Sequence, residues 1–331
     1  DPAERKLAIA MPTASTASEL FVDGVRLGGA GMPGTTAADT VAFEGLYTAS
    51  FTTDRSEAEI VIHIANFSNL VQGGLFGPVL FGTEESVTSY KQFSIAMQLL
   101  VCVVMLIHVA YTIVLFFMGV RQPALLTLAL VMIGACLTVL ISDDKLLVSW
   151  LNLPYDISYR LYALGYLWSA ALLIIFVRQL YPKLQSRPWH LYYGLLVLML
   201  TVAVAAMPVS YVSLVDLYSI PLLLAGFLYV PVLMLRATLR QDRDAIFLWL
   251  GFVARAVSLG WGLVNTYVGG LRSLYFYPLD LIVMFFTLAS YWFRMYFRNL
   301  QQTEQLAVEL RQADKQKDDF LANTSHELRN P

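Results

Sequence analysis

Residues 93–118 read FSIAMQLLVCVVMLIHVAYTIVLFFM, a run without a single Asp, Glu, Lys or Arg. A bilayer core of roughly 30 Å is crossed by about 20 apolar helical residues, so this stretch is long enough to span it. Six further stretches reach that length, at about 123–141, 157–180, 190–207, 215–235, 245–268 and 277–297. Pro123, Pro154, Pro182, Pro188, Pro208 and Pro278 fall at or beside the breaks, where a residue without a backbone donor starts a helix better than it continues one. Over all 331 residues, 57% are hydrophobic and 14% charged, against about 25% charged in soluble domains. That composition excludes a water-soluble enzyme and predicts a multi-pass α-helical membrane protein with seven spans.

The net charge of -2 conceals three regions. Residues 1–90 carry 4 basic and 11 acidic side chains, residues 91–298 carry 14 and 7, and residues 299–331 carry 4 and 6. Neither the acidic first region nor the mixed last one suits a phosphate backbone, which removes nucleic acid as a partner. With the amino terminus outside, the cytoplasmic side receives nine basic residues: Arg121, Arg178, Lys183, Arg187, Arg236, Arg240, Arg243, Arg294 and Arg298. The outer side receives four: Lys91, Lys145, Arg160 and Arg272. The excess of positive charge inside therefore predicts an outer domain over 1–90, a seven-helix membrane domain over 91–298 and a cytoplasmic segment over 299–331.

Cys102 and Cys136 sit within apolar runs and are expected to act as small buried hydrophobes, with no disulfide framework or metal site. In the outer region, Glu19–Val22 and Val25–Leu27 flank Asp23-Gly24, the pair that a two-residue hairpin turn favours. Residues 59–67 form the strongest strand, and 73–78 read as a turn before a last strand at 79–81. These features predict a β-sandwich, jelly-roll-like. Its length is short for a complete one, and its first strands are expected before Asp1.

After Asn299 the chain turns polar. Thr303, Leu306, Leu310, Ala313, Lys317, Phe320 and Thr324 recur at three- and four-residue steps, the seam of a weak cytoplasmic coiled coil leaving the seventh span. At 100° per residue His326 lies about 200° from Thr324 and about 120° from Phe320, away from that seam. A solvated imidazole is a competent nucleophile at neutral pH if a neighbour takes its proton, and Glu327 is the adjacent general base. Asn330 follows one turn later, where its amide could hold a water against a phosphoryl group.

The string Phe320-Leu321-Ala322-Asn323-Thr324-Ser325-His326-Glu327-Leu328-Arg329-Asn330-Pro331 resembles the H-box of sensor histidine kinases, with Asn330 where Thr is commoner. Residues 18–24, 62–67 and 73–82, followed by seven spans, resemble the bacterial receptors with seven transmembrane segments and diverse intracellular signalling modules. The resemblance implies an outer jelly-roll sensor in the bacterial inner membrane, and a homodimer whose His326 takes a phosphoryl group from ATP with Mg2+ and passes it to a response regulator. It also implies that Asn330 serves the reverse phosphatase step. The ATP-binding domain of such a kinase is not within residues 1–331, so this stretch is expected to be inactive alone.

Within the membrane, His108 and Arg255 are ionisable groups near the centres of spans, where each costs at least ~2.5 kcal/mol unless paired or hydrated. Asp143, Asp144, Asp156, Arg160, Asp216, Arg272 and Asp280 gather toward the outer face, either lining a cup or as solvated loop charges. Arg255, His108, Arg160 and Asp280 are the candidate ligand-binding residues. The ligand itself is unassigned, with carbohydrate suggested only by analogy of fold. A retinal protein is excluded because 277–297 contains no Lys for a Schiff base. A non-enzymatic seven-helix receptor or carbohydrate-binding protein is the alternative to the kinase reading.

Overall fold

The computed structural model describes residues 6–54, 56–181, 187–239, 246–254, 256–257 and 279–329. Eight strands open the chain: β1 (Lys6–Met11), β2 (Thr13–Ser15), β3 (Ala17–Val22), β4 (Val25–Ala30), β5 (Tyr47–Thr52), β6 (Ile60–Ala65), β7 (Gly74–Phe76) and β8 (Leu80–Thr83). They form three antiparallel sheets, ordered β5-β1-β8, β2-β7 and β4-β3-β6.

The β3–β4 hairpin closes where expected, with Asp23 at φ 48° and Gly24 at φ 78°. The Asp23 side chain accepts the Glu59 amide at 2.9 Å, pinning the hairpin tip to the approach to β6. Alternation along the strands turns Ile9, Met11, Leu20, Val22 and Ala49 onto one shared core, packed by Leu27, Phe51, Ile62 and Leu75. Within the expected turn at 73–78, residues 74–76 are instead a strand. Gly74 and Gly77 take positive φ at its ends, so the chain bends twice while Leu75 pairs with Ala14 and packs on the core.

Helix follows without a linker. Thr83, the last residue of β8, caps α1 (Glu84–Phe117) by accepting the Ser86 amide at 3.3 Å. Then come α2 (Pro123–Ile141), α3 (Leu146–Leu151), α4 (Tyr155–Leu180), α5 (Arg187–Ala206), α6 (Val209–Leu239), α7 (246–254) and α8 (Leu279–Arg329). Among the described residues, α1, α2 and α4 are long and apolar enough to cross a bilayer, and Leu191–Ala206 and Leu228–Leu239 are shorter apolar helices. The chain is therefore a helical membrane protein with an N-terminal sheet domain. The short α3 was not legible in the sequence, because six residues are too few to carry a helical period.

Helices α2 and α4 pack antiparallel at very close range. A Cβ on Gly165 would lie 2.6 Å from Thr138 Cγ2, and one on Gly134 would lie 2.9 Å from Ser169 Oγ. Small residues allow such approach where burial of apolar surface in lipid supplies no drive to associate. Gly251 of α7 meets Thr287 of α8 in the same way. Leu125, Met132, Phe176, Leu233, Tyr291 and Trp292 lie in the main core that these helices share.

Candidate functional site

Two loops of the sheet domain clasp one end of the helices. Asn66 organises the first: its amide donates to the Asn69 and Gln72 carbonyls at 2.8 and 2.7 Å, and its oxygen accepts the Asn69 amide at 3.0 Å. Asn69, fixed in this way, accepts the Val71 and Gln72 amides and donates from Nδ2 to the Tyr155 hydroxyl at 3.3 Å. The neighbouring Leu70 amide donates to Ser213 Oγ on α6 at 3.2 Å. Asn and Asp side chains commonly rigidify turns this way, and here the turn joins the sheets to α4 and α6.

The second loop carries Glu44, whose carboxylate accepts from Lys145 Nζ at 2.7 Å with both side chains more than four-fifths buried. Lys145 lies in the connection from α2 to α3, with left-handed backbone at φ 49°. Asp143 at φ 23° lies in the same connection, and Asn152 at φ 47° directly follows α3. Three non-glycine residues with positive φ within ten positions store backbone strain, which persists only where surrounding contacts fix the conformation. Ala42, from the same loop as Glu44, packs against the cluster of Tyr155, Tyr159, Val204 and Val212.

The charges expected around an outer cup are distributed under these loops. Asp144 accepts from Ser94 Oγ at 2.5 Å. Asp156 pairs with Arg160 at 2.9 Å, and the Arg160 guanidinium also donates to the carbonyls of Val204, Ala205 and Met207. Arg160 thus ties α4 to the carboxy-terminal end of α5, where unpaired carbonyls need donors. Tyr159 stacks on Tyr155 at 5.5 Å.

From the clasped end, α1 runs toward α8. Val87 is buried at its base and Lys91 donates to Thr48 of β5 at 3.4 Å. Further along, the His108 ring meets Phe286 edge-on at 6.5 Å and Tyr111 meets Phe293 at 5.4 Å. Both numbers rise together, so the two helices run parallel. His108 Nδ1 lies 2.8 Å from the Val104 carbonyl of its own helix, so the imidazole is hydrogen-bonded within α1.

Helix α8 continues unbroken for 51 residues, about 77 Å at 1.5 Å per residue. It carries the backbone of His326 and Glu327. Residues 299–321 are exposed throughout, with Leu306, Leu310 and Phe320 each above 60% exposure. Arg255, Arg272 and Asn330 lie outside the described residues, as do the side chains of Asp280, His326 and Glu327.

Sequence reasoning missed the contacts of the clasp. The repeated Asn of Asn66 and Asn69 beside Gly73-Gly74 was a usable turn signal. Nothing local joins Glu44 to Lys145 across 101 positions.

Residues 94–291, more than half of the chain, match the family model described as 7TM diverse intracellular signalling. No curated protein and no solved structure matches the chain. The match begins within α1 and ends within α8, leaving the sheet domain and the string around His326 outside it.

Proposed function

Because this chain belongs to the 7TM diverse intracellular signalling family, we propose that it is the membrane sensor of a two-component histidine kinase. The observation that carries the reading is α8, one helix that packs in the bundle at Trp292 and continues to His326. In this reading the sheet domain is an extracytoplasmic jelly roll over 1–90, seven spans cross the inner membrane over 91–298, and 299–331 is cytoplasmic. His326 is the phosphoacceptor, Glu327 takes its proton, and Asn330 positions water for the phosphatase step. ATP and Mg2+ act through a catalytic domain of the full-length protein, and a response regulator receives the phosphoryl group.

The exposed Leu306, Leu310 and Phe320 supply the seam by which two copies of α8 pair as a homodimer. A stimulus changes output only if it favours one of two arrangements of that pair. The contacts His108–Phe286 and Tyr111–Phe293 give the sheet domain a direct path to α8 through α1.

Two experiments test this. In full-length protein with labelled ATP and Mg2+, His326→Gln abolishes label uptake; undiminished uptake refutes the phosphoacceptor role. Inserting one residue near Gln305 turns everything after it by about 100°, so insertions of one, two and three residues must change output unequally. Unchanged output in all three refutes transmission through a continuous helix.

A further inference from the structure

We propose that the loop 66–72, at the foot of the sheet domain, seats in the bilayer leaflet on the sheet-domain side, with Phe67, Leu70 and Val71 among the lipid headgroups and upper acyl chains. All three side chains are exposed on the protein itself, Leu70 at 56%. They lie within residues 60–83, a run without a single Asp, Glu, Lys or Arg. Soluble domains carry about one charged residue in four, so a stretch of that length facing water is expected to hold several. Exposed apolar side chains in an uncharged run mark contact with something other than water.

The hydrogen bonds that fix the loop also fix its depth. Asn69 meets the hydroxyl of Tyr155, the first residue of α4, and the Leu70 amide meets Ser213 Oγ in the second turn of α6. From Tyr155 to Arg178, in the last turn of α4, the helix runs about 35 Å at 1.5 Å per residue. The charged Arg178 stays outside the hydrocarbon, which is roughly 30 Å thick within a bilayer of about 40–45 Å. An upright or modestly tilted α4 therefore leaves Tyr155 in the headgroup layer of the opposite leaflet, about 5 Å outside the hydrocarbon. Trp150 and Leu151, exposed on α3 just before α4, fit the same level, since tryptophan favours the interface. The Asp156–Arg160 pair beside Tyr155 suits headgroups rather than acyl chains.

The body of the sheet domain stands clear of that layer. Ser94 of α1 meets Asp144 just beyond the end of α2, and from there α1 rises to its cap at Thr83, about 16 Å away. Strand β6 descends toward the helices: Ile60 pairs with Val22 beside the hairpin tip and Ala65 pairs with Ala17 at the foot, about 17 Å along the strand. The turn after β6 is thereby brought down to the first turns of α4 and α6. A segment entering a poorly hydrated layer has to satisfy its own backbone, and this one does. The amides of residues 69–72 and the carbonyls of Asn69 and Gln72 are all hydrogen-bonded, to Asn66, Asn69 or Ser213. Lipid thus bears on the same turn that joins the sheets to α4 and α6. This inference rests on α4 crossing the bilayer and holds whether or not His326 is phosphorylated.

The test uses the full chain in nanodiscs of phosphatidylcholine. Nitroxide labels go on Leu70→Cys and Val71→Cys, and on Val25→Cys at the hairpin, a position 61% exposed. The unsubstituted chain supplies the background from the buried Cys102 and Cys136. Power saturation compares collisions with oxygen, which concentrates in lipid, and with a nickel chelate, which stays in water. Oxygen should dominate at positions 70 and 71, and the ratio should reverse at position 25. Dominance of the chelate at both 70 and 71 overturns the proposal, by placing the loop in water or in a water-filled recess between the helices. A second measurement needs no substitution. Irradiation of the unsubstituted chain with a phosphatidylcholine bearing a diazirine at the upper end of one acyl chain should leave adducts within 66–72 and none within 22–26, and a lack of adducts within 66–72 also overturns the proposal.

Discussion

Neutralising Lys145 should loosen the sheet domain from the helices without unfolding either. Its ammonium is 2.7 Å from Glu44, and the two side chains are 16% and 10% exposed. Removing one partner of a fully buried pair costs about 3–5 kcal/mol, because the other charge is left uncompensated. Residual exposure lowers that here to about 2 kcal/mol, bounded below by the ~1 kcal/mol of an exposed pair. At 1.4 kcal/mol per decade, about 2 kcal/mol shifts the docking equilibrium roughly 30-fold. The Leu70 amide is the reporter, since it donates across the interface to Ser213 and its exchange requires opening. Lys145→Gln and Glu44→Gln should each accelerate Leu70 hydrogen exchange by about that factor. The double variant, which buries no lone charge, should accelerate it less than either single change. The reasoning is refuted if all three leave Leu70 exchange at the wild-type rate while Ile9, in the sheet core, is equally unaffected.

The close approach of α2 and α4 makes Gly165→Ala destabilising by about 1–3 kcal/mol through overpacking, read as a lower unfolding temperature in detergent. Thr138→Ala, which removes the Cγ2 that the new methyl would meet, should recover most of the loss. Replacing both Leu310 and Phe320 by Gln should reduce crosslinking between copies of the full-length protein while leaving helix content unchanged by circular dichroism. Burial holds the Tyr47 phenol above its ordinary value. Its neutral form is thus favoured on folding, and the contribution is complete below pH ~10 and lost as pH rises through the folded value. Tyr47→Phe should remove that alkaline slope from denaturant unfolding of the sheet domain.

Much of the fold was legible because lipid and strand pairing each impose a short period on the chain. The bounds of α2 coincide with the expected span 123–141, since a proline opens it and a polar Ser-Asp-Asp follows it. The Asp23-Gly24 hairpin was readable because positive φ at both central residues restricts which amino acids can stand there. The stretch 73–78 misled for a related reason: its glycines do mark bends, but two bends three residues apart leave room for a strand between them. The continuity of α8 past Asn299 followed from the three- and four-residue steps that carry Leu306, Leu310, Ala313 and Phe320 along one face, a period that a loop does not hold.

The sequence by itself determined that apolar helices lie in a membrane, that strands precede them and that a polar helix follows. Each of these depends on the solvent surrounding a segment of about twenty residues or fewer, and so is written within that segment. Only the tertiary structure decided that Glu44 meets Lys145, that Asn69 reaches Tyr155 and that α1 packs against α8. Those juxtapositions join residues tens to hundreds of positions apart, and their partners are chosen by how the helices and sheets pack together rather than by any local pattern.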